Sequence, residues 1–238
     1  MTMHVQSSSH AAAPRCWPKT ILRLCIGTAL IVLLAFLVLV GVWRAAPPTS
    51  TLMLGRYLLL RPVERQWVSL DRLGAGLPAA VIMSEDGQFC RHHGVDWQAL
   101  GVVLNESGTG GPSRGASTIA MQTAKNLFLW PQRSYLRKGL EIPMALIIDA
   151  AWPKRRVLEV YLNIAEWGDG LFGAEAAARR YFGKSAEALS SRESALLAAA
   201  LPNPRSRDPN RPNRRQAALA HRIELRMRGA EPWLNCLR

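Results

Sequence analysis

The chain has 238 residues, 49% of them hydrophobic, with 30 Lys and Arg against 17 Asp and Glu. That length suits one ordinary domain with attachments. The apolar share excludes wholesale disorder, and 18 Gly with 15 Pro are too few for a fibrous protein. The net charge of +13 points to anionic partners (nucleic acid, acidic lipid or a phosphorylated substrate) without choosing among them.

Residues 1–20 are small, polar and Pro-containing, and read as a disordered cytoplasmic tail. Residues 21–43 read as a transmembrane helix. From Leu24 to Trp43 there are 20 residues without a charge, enough to cross about 30 Å of hydrocarbon. Thirteen of them are Leu, Ile, Val or Phe, worth about −4 to −8 kcal/mol for insertion. Arg15, Lys19 and Arg23 precede the span with no acid before them, which keeps the N-terminus cytoplasmic. A cleaved signal peptide would have a shorter apolar run ending in small residues, whereas this one ends Val42-Trp43-Arg44.

Residues 44–68 form a juxtamembrane segment, with a stiff exit at Ala45–Ser50 and a short helix after it. The folded part, residues 69–238, reads as mainly α. One helix opens at Pro78 and runs to Glu85. A glycine-rich loop, Ser107 to Gly115, cannot be helical. A helix over 134–152 places Leu136, Leu140, Met144 and Ile147 on one face, with Pro143 as a kink. The next starts at Pro153, aligns Val157, Leu158, Tyr161, Leu162 and Ala165, and ends at Gly168-Asp169-Gly170. The last opens with a capping box, Ser190 to Glu193, and stops at Pro202. After Pro204 comes a basic tail with nine Arg, suited to anionic lipid or simply solvated. The cysteines have no CxxC spacing. Cys90 and Cys236 could pair outside the cytoplasm, but spacing establishes no bond and inert thiols are the expectation.

The chemistry concentrates in three stretches. Glu85 follows apolar residues near a helix C-terminus, where burial and the negative dipole end both disfavour its charge. A carboxylate raised this way suits a general base; a solvated helix-end acid is the plain alternative. Cys90, His92 and His93 hint at zinc, but no second Cys/His pair follows at ligand spacing. The stretch Gly110 to Ser117 nearly spells a phosphate loop, yet Ala116 stands where Lys is required, which rules out a nucleotide site. Glycines running into Ser117, Thr118, Gln122, Lys125 and Asn126 still suit a diphosphate. The alternative is a helix start capped by Ser117. Leu127–Trp130 is an apolar patch for the core or the bilayer. Finally Arg137 and Lys138 neighbour Glu141 at helical spacing and hold it ionised, the opposite of Glu85. Ordinary surface ion pairing is the alternative there.

The series EDGQFCRHHG, RGASTIAMQTAKNLFL, RKGLE and KRRVLEVYLNIAEWGDGLFGAEAAARRYF resembles the peptidoglycan glycosyltransferases. These occur as monofunctional membrane-anchored enzymes and as the first domain of class A penicillin-binding proteins. With no room for a penicillin-binding domain after residue 238, the monofunctional type is expected.

The resemblance implies a lysozyme-like helical lobe with a smaller membrane-proximal jaw, and a glycosyltransferase domain over 69–238. It implies polymerisation of lipid II into glycan strands at the cell inner membrane, with the domain in the periplasm. By motif, Glu85 corresponds to the base that deprotonates the acceptor and Glu141 to a second essential carboxylate. Gly115, Ser117, Gln122, Lys125 and Arg133 correspond to residues around the donor sugar and diphosphate. Asp86, Phe89, His92, Arg137, Lys138 and Asn163 hold supporting motif positions, and Thr118 and Asn126 lie in the same stretch. The usual pair of glutamines is Met121-Gln122 here, which implies altered loop packing.

No cofactor is assigned, although a divalent cation, Mg or Mn, could accompany the diphosphate. The partners implied are lipid II, the growing glycan strand, the cytoplasmic membrane and other cell-wall synthesis or division proteins, with no nucleic acid. Two rivals stand beside this reading. A lysozyme-like hydrolase or lytic transglycosylase would need an acid for a sugar leaving group and has no use for Lys125 and Arg133. A membrane-anchored nucleic-acid-binding protein would use the Arg-rich tail and be indifferent to Glu85.

Overall fold

The computed structural model describes residues 17–106, 117–132 and 134–238. The expected glycine loop and most of the N-terminal tail lie outside the described residues. The chain divides after Val42, and everything from Trp43 onward is one compact unit. Before it comes α1 (Trp17–Trp43), whose stretch from Lys19 has a mean hydropathy of 2.9 and is long and apolar enough to cross a membrane. Leu30, Ile31, Val32 and Leu34 on it stand exposed, as a lipid-facing surface requires.

The compact unit is helical around one small sheet. Its order is α2 (Thr51–Leu58), β1 (Glu64–Arg65), α3 (Gly76–Glu85), α4 (Trp97–Glu106), α5 (Ile119–Phe128), α6 (Tyr135–Ala151), α7 (Lys154–Ile164), β2 (Glu166–Gly168), β3 (Leu171–Phe172), α8 (Ala174–Phe182), α9 (Ser191–Ala200) and α10 (Arg214–Met227). Residues 44–68 are part of this compact unit. Thr51 donates from its hydroxyl to the Leu129 carbonyl at 2.7 Å, Arg156 donates to the Ala46 carbonyl at 2.5 Å, and β1 pairs with β3.

At the centre lies α3, apolar all round, with Leu77 through Met83 buried. It packs against α9, where Ser194 through Ala200 are buried and four small alanines let the backbones approach. The capping box at the start of α9 is present: Ser190 accepts from the Glu193 amide at 3.2 Å and Glu193 accepts from the Ser190 amide at 2.8 Å. Such a cap is worth about 0.5–2 kcal/mol.

Three sequence expectations change. The helix from Pro153 ends at Ile164, and Gly168 instead closes β2, with Asp169 and Gly170 as the turn to β3, antiparallel to it. Gly170 has φ 73°, a left-handed turn conformation that glycine adopts without strain. On α6 the buried residues are Arg137, Glu141, Ala145 and Ile148, while Leu136 is 69% exposed. The inward face is thus the one bearing the ion pair, one residue away from the apolar face that periodicity favours. The basic tail, third, is not a loose extension. It contains α10, which buries Gln216, Ala220 and Ile223 against α9 and α3. An i, i+4, i+7 stripe that begins with a glutamine carries little hydrophobic signal in so polar a helix.

Cys90 and Cys236 are bonded, against the expectation of free thiols, and close a loop across 146 positions. The C-terminal segment lies beside the loop that follows α3: the Arg91 guanidinium sits 3.7 Å from the Trp233 ring centroid, and Arg155 reaches both the Leu237 carbonyl and Asp71. Reducing this bridge, or Cys236→Ser, is expected to remove about 2–4 kcal/mol of stability. The measurement is the unfolding midpoint of the detergent-solubilised chain with and without reductant.

Candidate active site

The site is built where the C-terminus of α3 meets the N-terminus of α5, with α6 and α7 closing it. Glu85 is the last residue of α3 and mostly buried. Its two oxygens accept from the Ser84 hydroxyl at 3.2 Å and from the Gln122 amide at 3.1 Å. Burial raises its pKa above the usual carboxylate value. The two hydrogen bonds and the charges of Lys125 and Arg207 oppose that rise without cancelling it.

Asp86 faces the other way. One of its oxygens lies 2.8 Å from His92 Nε2 and the other accepts from the Ile119 amide at 2.9 Å, an otherwise unpaired donor at the start of α5. The cap itself is Thr118 rather than Ser117: its hydroxyl accepts from the Met121 amide at 3.1 Å and donates to the Gly94 carbonyl at 2.6 Å. This shift of one residue frees Ser117 for the site. Phe89 is fully buried, edge-on to His92, with the Lys154 ammonium 4.8 Å from its ring. Lys154 also donates to the His92 carbonyl at 2.7 Å. Phe89, Thr118 and His92 therefore hold the Glu85 loop in shape, and Phe89 and Thr118 have almost no surface to offer a substrate.

Glu141 is 3% exposed and lies between two cations, 3.0 Å from Lys138 Nζ and 3.0 Å from an Arg137 nitrogen. The Arg137 contact is an ion pair without hydrogen-bond alignment. Among the described residues the Arg137 Nε and Nη1 groups have no hydrogen-bond partner, which leaves buried donors for a ligand. Lys138 also donates to the Ser117 hydroxyl at 2.5 Å. Lys125, on α5, has its pKa lowered by burial, partly offset by Glu141 and Glu85. With Thr51, Asn126, Trp130 and Arg137 it lines a pocket of about 190 Å³. Leu127 and Leu129 of the apolar patch are core, and Trp130 is 39% exposed.

One chain of hydrogen bonds joins the two carboxylates. Gln122 Nε2 donates to Glu85 and, at 3.5 Å, to the Ser117 carbonyl; the Ser117 hydroxyl accepts from Lys138, which pairs with Glu141. At the other end the Tyr161 hydroxyl donates to Gln122 Oε1 at 2.9 Å. Sequence reasoning treated Tyr161 as a core residue of its helix, and its polar tip carried no separate signal. Gly115 and Arg133 lie outside the described residues. Met121 sits on α5 and is fully buried, so its side chain fills core rather than altering a loop. Asn163 is a structural clamp: its amide group donates to the Val68 carbonyl at 2.8 Å and accepts from the Val68 amide at 3.0 Å. No group of three or more His, Cys, Asp or Glu among the described residues is arranged for a metal, and Cys90 and His92 of the zinc alternative are engaged elsewhere.

A carboxyl with raised proton affinity thus shares one network with the Lys138 and Arg137 cations, with the Lys125 charge acting on it nearby, which suits proton removal beside an anionic group. The family model described as Transglycosylase matches residues 53–228. The chain belongs to the transglycosylase family. It is 51% identical over 220 residues to the biosynthetic peptidoglycan transglycosylase of Brucella suis biovar 1 (strain 1330), covering 91% of this chain and 98% of that protein. The protein of the same name from Rhodospirillum centenum is 52% identical over 211 residues, covering 88% of this chain and 91% of its own length. That of Agrobacterium fabrum is 47% identical over 222 residues, at 92% and 98%. Family membership accords with the mainly α fold and with an apolar helix placed before the matched region.

The raised pKa of Glu85 has a stability consequence. A carboxyl whose folded-state pKa exceeds its unfolded value stabilises the fold below the unfolded value, and that contribution is lost as pH rises through the folded one. At neutral pH Glu85 therefore opposes folding. Glu85→Gln is expected to unfold a few degrees above the natural protein at pH 7, with the gap closing as pH falls toward 4. Thermal unfolding across pH measures it.

Proposed function

We propose that this chain polymerises lipid II, a disaccharide-pentapeptide carried on undecaprenyl diphosphate, into the β-1,4-linked glycan strands of peptidoglycan. The observation that carries the reading is the linkage of a desolvated Glu85 to the Lys125, Arg137 and Lys138 cations within a chain of the transglycosylase family. Glu85 takes the proton of the acceptor's 4-hydroxyl while that oxygen attacks C1 of the donor sugar. The bond from C1 to the diphosphate oxygen breaks, and undecaprenyl diphosphate leaves with the electron pair. Lys125, Lys138 and Arg137, joined by Arg133, disperse the charge that develops on the diphosphate, so no strong protein acid is required. Glu141 holds Arg137 and Lys138 in place. Gln122 and Ser117 orient the groups between, Asp86, Phe89, Thr118 and His92 keep the loop in register, and Gly115 and Asn126 border the donor.

The reading extends to location. The apolar α1 is a single-pass membrane anchor by length and composition. Arg15, Lys19 and Arg23 support a cytoplasmic N-terminus in the cell inner membrane. The Cys90–Cys236 bond supports a periplasmic compact unit, since such bonds persist in oxidising compartments. An enzyme acting on a lipid-linked sugar gains from being tethered where that lipid resides.

Purified chain in detergent or vesicles is expected to convert lipid II to polymer, and Glu85→Gln to lose about 10²–10⁴ in rate. Normal polymer from a folded Glu85→Gln would remove Glu85 from its role, and release of fragments from finished glycan would favour a hydrolase. A divalent cation, Mg or Mn, would enter with the diphosphate. A chelator is accordingly expected to slow polymerisation while leaving the unfolding temperature unchanged.

A further inference from the structure

An amide side chain has two unlike ends, and the end facing Glu85 decides which form of that carboxyl is favoured. The N–H end stabilises the carboxylate, and the carbonyl end stabilises the protonated acid. Here Gln122 turns its N–H end to Glu85, 3.1 Å away, and to the Ser117 carbonyl at 3.5 Å. Its carbonyl end is engaged by the Tyr161 hydroxyl at 2.9 Å. Tyr161 is 1% exposed, on a helix packed against α5, and burial holds its phenol well above the usual range. It therefore keeps its hydrogen at any pH the protein meets. Were the amide reversed, its oxygen would face the Ser117 carbonyl and its N–H would face a hydroxyl whose own hydrogen had lost its acceptor. One oxygen–oxygen contact and one buried hydroxyl hydrogen without an acceptor would replace the present hydrogen bonds.

We propose that Tyr161 is a positioning residue for the base: its hydroxyl fixes the polarity of the Gln122 amide, so that Gln122 can present only N–H to Glu85. This rests on the reading of Glu85 as the group that takes the acceptor's proton. The device has a purpose in that reaction. Burial raises the proton affinity of Glu85, and a locked donor opposes that rise by favouring the ionised form that a base needs.

The charged and titratable groups around Glu85 are Asp86 on its own loop, Lys125 from α5, Tyr161 from α7 and Arg207 from the segment after α9. From α10, Arg226 reaches the Met83 carbonyl at 3.3 Å. Among the described residues none of these charged groups hydrogen-bonds Gln122, so removing the Tyr161 hydroxyl isolates the amide's orientation from the rest.

The test is the pH dependence of lipid II polymerisation by the full chain. Glu85 must be ionised to act, so activity falls as pH drops through its pKa. In Tyr161→Phe the amide is free to turn its oxygen to the protonated acid, and the acid limb is expected to move up by about 0.5–1 pH unit. The rate on the alkaline side should stay within about two-fold. Replacing Tyr161 by 4-aminophenylalanine restores a donor and should return the limb to its natural position. In a Gln122→Met background Tyr161→Phe should add no further shift. If Tyr161→Phe does not fold, 4-fluorophenylalanine, which fills the hydroxyl's space without a donor, is compared with 4-aminophenylalanine instead. An unmoved limb in the donor-free variant, or equal limbs with and without a donor at 161, overturns the proposal. Polymerisation by Glu85→Gln would sink the base assignment itself. An inactive Glu85→Gln together with an unmoved limb sinks only the role of Tyr161.

Discussion

The short bridge Gln122–Ser117–Lys138 is the contact on which the site depends, because it couples two carboxylates with opposite requirements. Glu85 must sit where its charge is disfavoured enough to want a proton. Glu141 lies 3.0 Å from each of two cations that would otherwise repel one another at close range. Placing both in one buried region without a connecting network would leave each polar group to find solvent or an arbitrary partner. The network satisfies them from one to the next, and in a low-dielectric setting each bond reinforces its neighbours.

Helix ends supply most of this geometry. The C-terminus of α3 brings Glu85 to the site with the unfavourable end of the dipole, and the N-terminus of α5 faces it with free amides. Asp86 exploits the second by accepting from Ile119 while holding His92. Adjacent residues of one chain thus diverge: Glu85 loses solvation and, among the described residues, forms no direct ion pair, whereas Asp86 receives an amide and an imidazole. Thr118 takes the capping duty, and this leaves Ser117 to accept from Lys138. A loop pinned by a cap, an imidazole and the Cys90–Cys236 bond has little freedom to misplace the Glu85 carboxyl beside it.

Legibility in the sequence follows the range of the interactions. The apolar span of α1, the capping box of α9 and the i, i+3 and i, i+4 cations around Glu141 are local patterns and were readable as such. The direction of the Glu85 shift was also readable, since apolar neighbours and a helix end lie within a few residues of it. The buried face of α6 was not, because an ion pair buried by tertiary contact outweighs the apolar stripe beside it. Nor was α10, whose inward stripe of Gln216, Ala220 and Ile223 is too polar to stand out among arginines. Membership of the family came from a series of motifs whose joint order is specific where each alone is modest.

By itself the sequence determined the anchor, the helical class, the candidate pair of carboxylates and the cations next to one of them. These depend on composition and on spacings shorter than about two turns of helix. Only the tertiary structure decided that Gln122 and Ser117 join those carboxylates, that Cys90 meets Cys236, and that Tyr161 touches the network. Those pairings span up to 146 positions. They arise because packing the apolar faces of α3, α5, α7 and α9 leaves a few polar atoms inside, and each must be satisfied by whatever the fold has brought near it.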